Sequence, residues 1–290
     1  MHIINMKQTI LVTGGAGYVG SNLIKKLLDE GHTVYSIDNY FTGTEDNHHE
    51  GCTYMNLSTM NINSLALGTK IDTVFHFGEY SRIRSSFEDI QTVFQYNMEG
   101  TMAVLEFCRK HGCELIYSAS SSKFGEGNED LSPYAWVKAK CVELIKNYHK
   151  WFQLKYNIAY FYNVYGRNHI KTGKYATVIG IFESKLENQR PIPVIGDGSQ
   201  SRDFTHIDDI VSGLYNIFEQ EKNEEFFLGT GENYQLIEVA KMFSDNIEYL
   251  PEAKGERKSS IIPSKNQPKW WKPSIKLNEY IKQLQPLNTK

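Results

Sequence analysis

The run Thr9-Ile10-Leu11-Val12, leading into Thr13-Gly14-Gly15-Ala16-Gly17-Tyr18-Val19-Gly20, limits the fold more than any other part of the chain. Its apolar residues read as a strand buried on both faces, and Leu23, Ile24, Leu27 and Leu28 then recur with helical period. A strand, a glycine turn and a helix start open a βαβ unit. In such a unit the glycines let the backbone approach a pyrophosphate, while the helix N-terminus attracts its charge. Gly31 ends the helix and Thr33–Ile37 reads as the next strand. Asp38 follows about twenty residues after the loop, where a dinucleotide fold uses a carboxylate to bind the adenosine ribose hydroxyls. That charge repels a 2′-phosphate, and Asn39 rather than an arginine stands beside it, so the pattern favours NAD over NADP. The alternative is a flavodoxin-like βαβ unit without a nucleotide.

Further along, Ile71–Phe77 and Glu114–Ser118 have strand character, with a long helical stretch from about Ile90 to Lys110 between them. Pro133 precedes a second helix carrying Tyr134, Lys138, Val142 and Ile145. Strands alternating with helices predict an α/β protein with a Rossmann-type doubly wound parallel sheet. From about Asn163 the pattern turns to short strands, turns and isolated helices, including Arg190 to Gly198. This predicts a smaller C-terminal α/β substrate lobe over 166–290 beside a nucleotide domain over 1–165, with the chain crossing back near 203–230. The turn at Gly196-Asp197-Gly198 marks a candidate binding loop.

Size and charge agree with such a protein. The chain has 290 residues, 40% of them hydrophobic and 22% charged, enough to bury one large core and a smaller lobe. A formal net charge of −3 provides no basic excess for nucleic acid or an anionic membrane. The first six residues are too short an apolar run for a signal peptide, and no segment has membrane-spanning length. The expected location is the cytoplasm. Cys52, Cys108, Cys113 and Cys141 lack metal-binding spacing, so no metal is expected and reduced thiols are.

Tyr134 and Lys138 carry the chemistry. Four residues apart, they share one helical face, and a nearby ammonium favours the ionised phenol. A tyrosine held this way is a general acid/base suited to exchanging a hydroxyl for a carbonyl.

Taken together, these motifs resemble the extended short-chain dehydrogenase/reductase family, in particular its nucleotide-sugar 4-epimerase branch. The resemblance covers nearly the whole chain and includes the glycine loop, Asp38-Asn39, His76-Phe77-Gly78, Asn97 to Thr101, Ser118 to Gly125, the Tyr134/Lys138 pair, Asn163 to Gly166 and Gly196 to Phe204. It implies cofactor contacts from Gly14, Gly17, Tyr18, Val19, Gly20, Asp38, Asn39, Asn56, Leu57, Phe77, Gly78, Asn97, Ser118, Tyr134, Lys138 and Tyr162. It also implies that Tyr134 takes the proton of the sugar 4-hydroxyl while hydride leaves C4 for NAD, with Ser120 bonded to the same oxygen. The 4-keto sugar then turns over and is reduced on its other face. Lys138 would assist Tyr134 and bind the nicotinamide ribose.

On the substrate side the resemblance assigns Arg202 to the diphosphate, with Arg257 a second candidate, Asn163 to a phosphate or sugar oxygen, and Thr177 and Val178 to the base. Arg84 falls where some relatives read a sugar carboxylate, although Glu79, Arg82 and Arg84 equally suit a charged rim. In related dehydratases an Asp-Glu pair follows the serine, and in related decarboxylases a Glu stands second. Here those positions are Ser121 and Ser122, which favours epimerisation of a UDP-sugar over either elimination or decarboxylation. A nucleotide-sugar 4-ketoreductase or dehydrogenase using the same triad, or a 4,6-dehydratase, is the alternative, and a non-catalytic NAD-binding regulator is a more distant one. The segments from Gly125 to Pro133 and from Arg257 to Trp271 are shorter than in the family. Apolar residues beyond what one sheet face needs, including Trp136, Trp151 and Phe152, predict a homodimer.

Overall fold

The computed structural model describes residues 7–124, 131–220, 222–252, 255, 258–259 and 267–284. Seven parallel strands form the main sheet: β1 (Thr9–Thr13), β2 (Thr33–Asp38), β3 (Cys52–Asn56), β4 (Thr73–His76), β5 (Glu114–Ser120), β6 (Tyr156–Phe161) and, after the short β7 (Asn163–Tyr165), β8 (Ile192–Ile195) and β9 (Ser201–His206), the returning strand β10 (Glu224–Leu228). Their spatial order is β3-β2-β1-β4-β5-β6-β10. The order reverses at β1, where the chain leaves to one side through β2 and to the other through β4. Ligands of such sheets bind at that crevice, beyond the carboxyl ends of the strands.

Alternation along β1 explains why the sheet is covered twice. Ile10 and Val12 face Leu23, Ile24 and Leu27 of α1 (Tyr18–Asp29) and Ile210 and Leu214 of α6 (Ile207–Phe218). Leu11 faces the other way, into a core with Val104 and Leu105 of α3 (Gly100–His111) and Val137, Val142 and Ile145 of α4 (Pro133–Phe152). The predicted helix over 90–110 is a composite: α2 (Ile90–Val93) passes through a π-helical stretch, Phe94–Glu99, before α3 begins. That wider turn sets Asn97 facing inward, fully buried.

The remaining elements form a separate apolar cluster. It is built on two small sheets, β11-β9-β7 and β12-β8, with β11 (Asn233–Gln235) and β12 (Ile247–Leu250). Residues of α5 (Val178–Glu187), α7 (Leu236–Phe243) and α8 (Leu277–Leu284) pack onto them. Among the described residues no helix is long and apolar enough to cross a membrane. The four cysteines are unpaired, three of them buried.

Candidate active site

A cavity of about 830 Å³ opens where the seven strands end, between them and the smaller lobe. Each central strand supplies its wall at the C-terminal edge: Gly14 and Gly17 after β1, Asp38 at the end of β2, Phe77 and Gly78 after β4, Ser118 to Ser121 at the end of β5 and Phe161 to Asn163 after β6. The opposite wall comes from Thr177 and Val178 at the start of α5, from Pro193 to Ile195 on β8, and from Arg202 on β9.

The glycine loop is tight enough to be intolerant of side chains at two points. Gly14 has φ +72°, and a Cβ there would sit 2.8 Å from the Gly78 nitrogen. A Cβ on Gly20 would lie 2.2 Å from the Gly14 carbonyl oxygen. Next to this cradle the Asp38 carboxylate accepts from the Ala16 amide at 3.0 Å and the Tyr40 amide at 2.8 Å. Burial pushes its carboxyl group up, and those two backbone donors counter the shift. Tyr18 also lines the cavity, its buried hydroxyl without a hydrogen-bond partner among the described residues.

Tyr134 and Lys138 sit one turn apart in α4. That helix starts sharply because Ser132 caps it, accepting from the Ala135 amide at 3.1 Å, with Pro133 as the first helical residue. Both side chains reach the cavity wall beside Ser120. Ser122 donates its hydroxyl to the Ser120 oxygen at 2.9 Å, which directs the Ser120 proton elsewhere. Ser122 does not line the cavity and Ser121 does. Neither position carries a carboxylic acid, and of the two only Ser121 reaches the cavity.

Most of the expected ligand-facing residues converge here. Val19, Gly20, Asn39, Leu57, Tyr162, Asn163, Arg84 and Arg202 all line the cavity. Asn163 spends one amide proton on the Asp203 carbonyl at 2.8 Å, and Thr177 caps α5 by accepting from the Gly180 amide at 3.1 Å. Asn56 and Asn97 do not line it. Asn56 is exposed at the end of the edge strand, whereas the Asn97 carboxamide is occupied by both backbone groups of Tyr80, at 2.7 and 2.9 Å. The Gly196-Asp197-Gly198 turn also stays off the wall, which β8 supplies instead. Arg257 and the shortened loop after Phe124 lie outside the described residues.

The charged rim does not form as the sequence suggests. Glu79 turns inward, its side chain only 3% exposed, and pairs with Lys138, whose side chain is 5% exposed. Arg82 is held by the Tyr175 carbonyl, which accepts from Nε at 2.7 Å and from Nη2, while Arg84 stays exposed. Glu79 and Lys138 are 59 positions apart, and no local periodicity can reveal a pair made across β4 and α4.

Residues 10–229 match the NAD dependent epimerase/dehydratase family. The chain belongs to that family. NAD is accordingly its cofactor, and the side-chain-free cradle at Gly14 and Gly20 beside a buried Asp38 fits the pyrophosphate and ribose of a dinucleotide. Among family members, a putative UDP-glucose 4-epimerase of Methanocaldococcus jannaschii is 32% identical over 95% of this chain and 96% of that protein. UDP-glucuronic acid decarboxylase 2 of Arabidopsis thaliana is 28% identical over 93% of this chain and 66% of that one. The crystal structure of UDP-glucose 4-epimerase with UDP-glucose from Thermotoga maritima superposes with a TM-score of 0.85 at 27% identity, covering 94% of this chain and 96% of that one.

Proposed function

We propose that this protein is a nucleotide-sugar 4-epimerase, with a UDP-hexose the favoured substrate. The observation that carries this reading is the grouping of Ser120, Tyr134 and Lys138 on one wall of the cavity, with serines at 121 and 122 where elimination would need acids. A hydroxyl group cannot act as a carboxylate at neutral pH. Tyr134 takes the proton from the sugar 4-hydroxyl and later returns it, Ser120 holds the same oxygen by hydrogen bond, and Lys138 supplies the positive charge that steadies the phenolate. Bound in the cradle at Gly14, Gly20 and Asp38, NAD would supply reversible hydride transfer at C4 with no net redox change. Proton and hydride are both conserved over the cycle, which suits a site whose acid/base groups are buried.

Arg202, 7% exposed on the substrate side, suits the diphosphate, and Thr177 and Val178 at the start of α5 line the same wall, where the nucleotide would lie. Relatives that act on UDP-glucose support a UDP-sugar. Incubation with NAD and a panel of UDP-, dTDP- and GDP-sugars, followed by mass spectrometry and proton NMR, tests the reading. A product of unchanged mass inverted at C4 is expected. Loss of water or carbon dioxide, or stoichiometric NADH, would replace epimerisation with one of the related chemistries.

The same reading includes a homodimer formed through α2, α3 and α4. Ile90, Met102, Trp151 and Phe152 are 51%, 50%, 60% and 49% exposed on these helices, and Phe94 stacks on Trp136 with ring centroids 5.8 Å apart. A second copy would cover this apolar face. Multi-angle light scattering at micromolar concentration should return twice the chain mass, and the monomer mass would remove the dimer.

A further inference from the structure

The ion pair under the catalytic helix belongs to a longer buried chain of polar groups. Lys138 donates to Glu79 Oε2 and to the Ser118 carbonyl, and its Nζ lies 4.2 Å from the centre of the Tyr117 ring. Glu79 Oε1 accepts from the Tyr117 hydroxyl at 2.9 Å and from Thr101 Oγ1 at 3.2 Å. Because the Thr101 proton goes to the carboxylate, its oxygen must accept from His76 Nε2, 3.1 Å away. His76 Nδ1 then accepts from Thr13 Oγ1 at 2.7 Å, and Thr13 accepts in turn from the amides of Phe77 and Gly78 at 3.1 and 3.0 Å.

The chain runs from the glycine loop to Lys138, with Cys141 beside the Tyr117 and Thr101 hydroxyls. Three donors converge on Glu79 and leave no acceptor for a proton of its own, so the arrangement is that of a carboxylate.

We propose that Glu79 is the buried counter-ion and positioning residue of Lys138, controlling how much positive charge Lys138 presents to the Tyr134 site and where it points. This rests on the epimerase reading of Tyr134 and Lys138. Facing the pair are Cys141 from α4, Tyr117 from β5 and His76 from β4. Burial pushes Cys141 up to about 12, pushes Tyr117 well above the usual phenol range and pushes His76 down to about 3. All three are neutral near pH 7, so the network brings one cation and one anion to the site. Arg82 is a further cation that acts on Tyr134. Glu79 thus balances the buried charge of Lys138, while its bond keeps the ammonium from turning away. A lone buried lysine would present its charge to the site unbalanced and would be less well aimed.

The test is Glu79→Gln, which keeps the shape and removes the charge. The acid limb of kcat against pH should move down by about one pH unit. The phenolate absorbance that Tyr134→Phe abolishes should move with it, measured on protein without substrate. Glu79→Asp should keep most of the original limb. Glu79→Ala carries the same expectation as the amide should Glu79→Gln misfold by circular dichroism. A limb and an absorbance titration that stay in place, or move to higher pH, in a folded charge-removed variant would overturn the proposal. Wild-type protein that converts no nucleotide sugar would instead remove the epimerase reading, leaving the absorbance titration to decide the role of Glu79 separately.

Discussion

Tyr134→Phe should reduce epimerase turnover about 10³-fold, equal to about 4 kcal/mol of transition-state stabilisation, while NAD affinity stays within roughly twofold. On the epimerase reading the phenol takes and returns the proton at the sugar oxygen, since Ser120 beside it is too weak a base and Lys138 is engaged with Glu79. The ring itself remains: Tyr134 is 8% exposed within the core shared by β5 and α4, so phenylalanine preserves the packing and the melting temperature should scarcely change. The measurement is single-turnover conversion across pH, with cofactor affinity taken from NADH fluorescence. A loss below tenfold would mean that another group moves the proton. A parallel collapse of NADH binding would mean that the ring, not its hydroxyl, is what matters.

How far the sequence led to this site depends on whether a signal was local. The glycine loop, Asp38 and the Tyr134/Lys138 spacing each lie within one turn or one βα connection, where period and residue type suffice. The β1 to α1 start, the central strands and α4 follow from them directly. Strand β3 is harder, because only an edge strand with half-exposed residues is present at Cys52–Asn56 and it lacks a buried run. The π-helical stretch inside 90–111 leaves no mark in an apolar repeat that continues on either side of it. Glu79 is the instructive case. Next to Arg82 and Arg84 it reads as a surface charge, and only the sheet order, which sets β4 beside β5 and under α4, brings it to Lys138. Its burial is a tertiary property with no counterpart in composition.

Lys138→Met should destabilise the fold by about 3–5 kcal/mol as well as impair catalysis, because it strands the Glu79 carboxylate in the interior. In the intact protein that carboxylate has Lys138, Tyr117 and Thr101 as donors; without the ammonium only the two hydroxyls remain. At roughly 2 °C per kcal/mol for a chain of this size, the melting temperature should fall by about 6–10 °C. The loss should depend on pH in a definite direction. Burial already raises the Glu79 proton affinity above its ordinary value of 4.5, with Lys138 the main opposing influence, so removing Lys138 raises it further. The folded variant then holds a proton that the unfolded chain releases, and stability falls as pH rises from about 4.5 through the raised folded value. The gap in melting temperature from wild type should therefore be small near pH 5 and widest near pH 8. Lys138→Met combined with Glu79→Gln should recover much of the stability but none of the activity, since the stranded charge is gone while the catalytic cation is still missing. Scanning calorimetry at both pH values on the two variants checks this. A gap that is the same at pH 5 and pH 8, or one that the second substitution leaves unchanged, would mean that Lys138 stabilises the fold by packing rather than by neutralising Glu79.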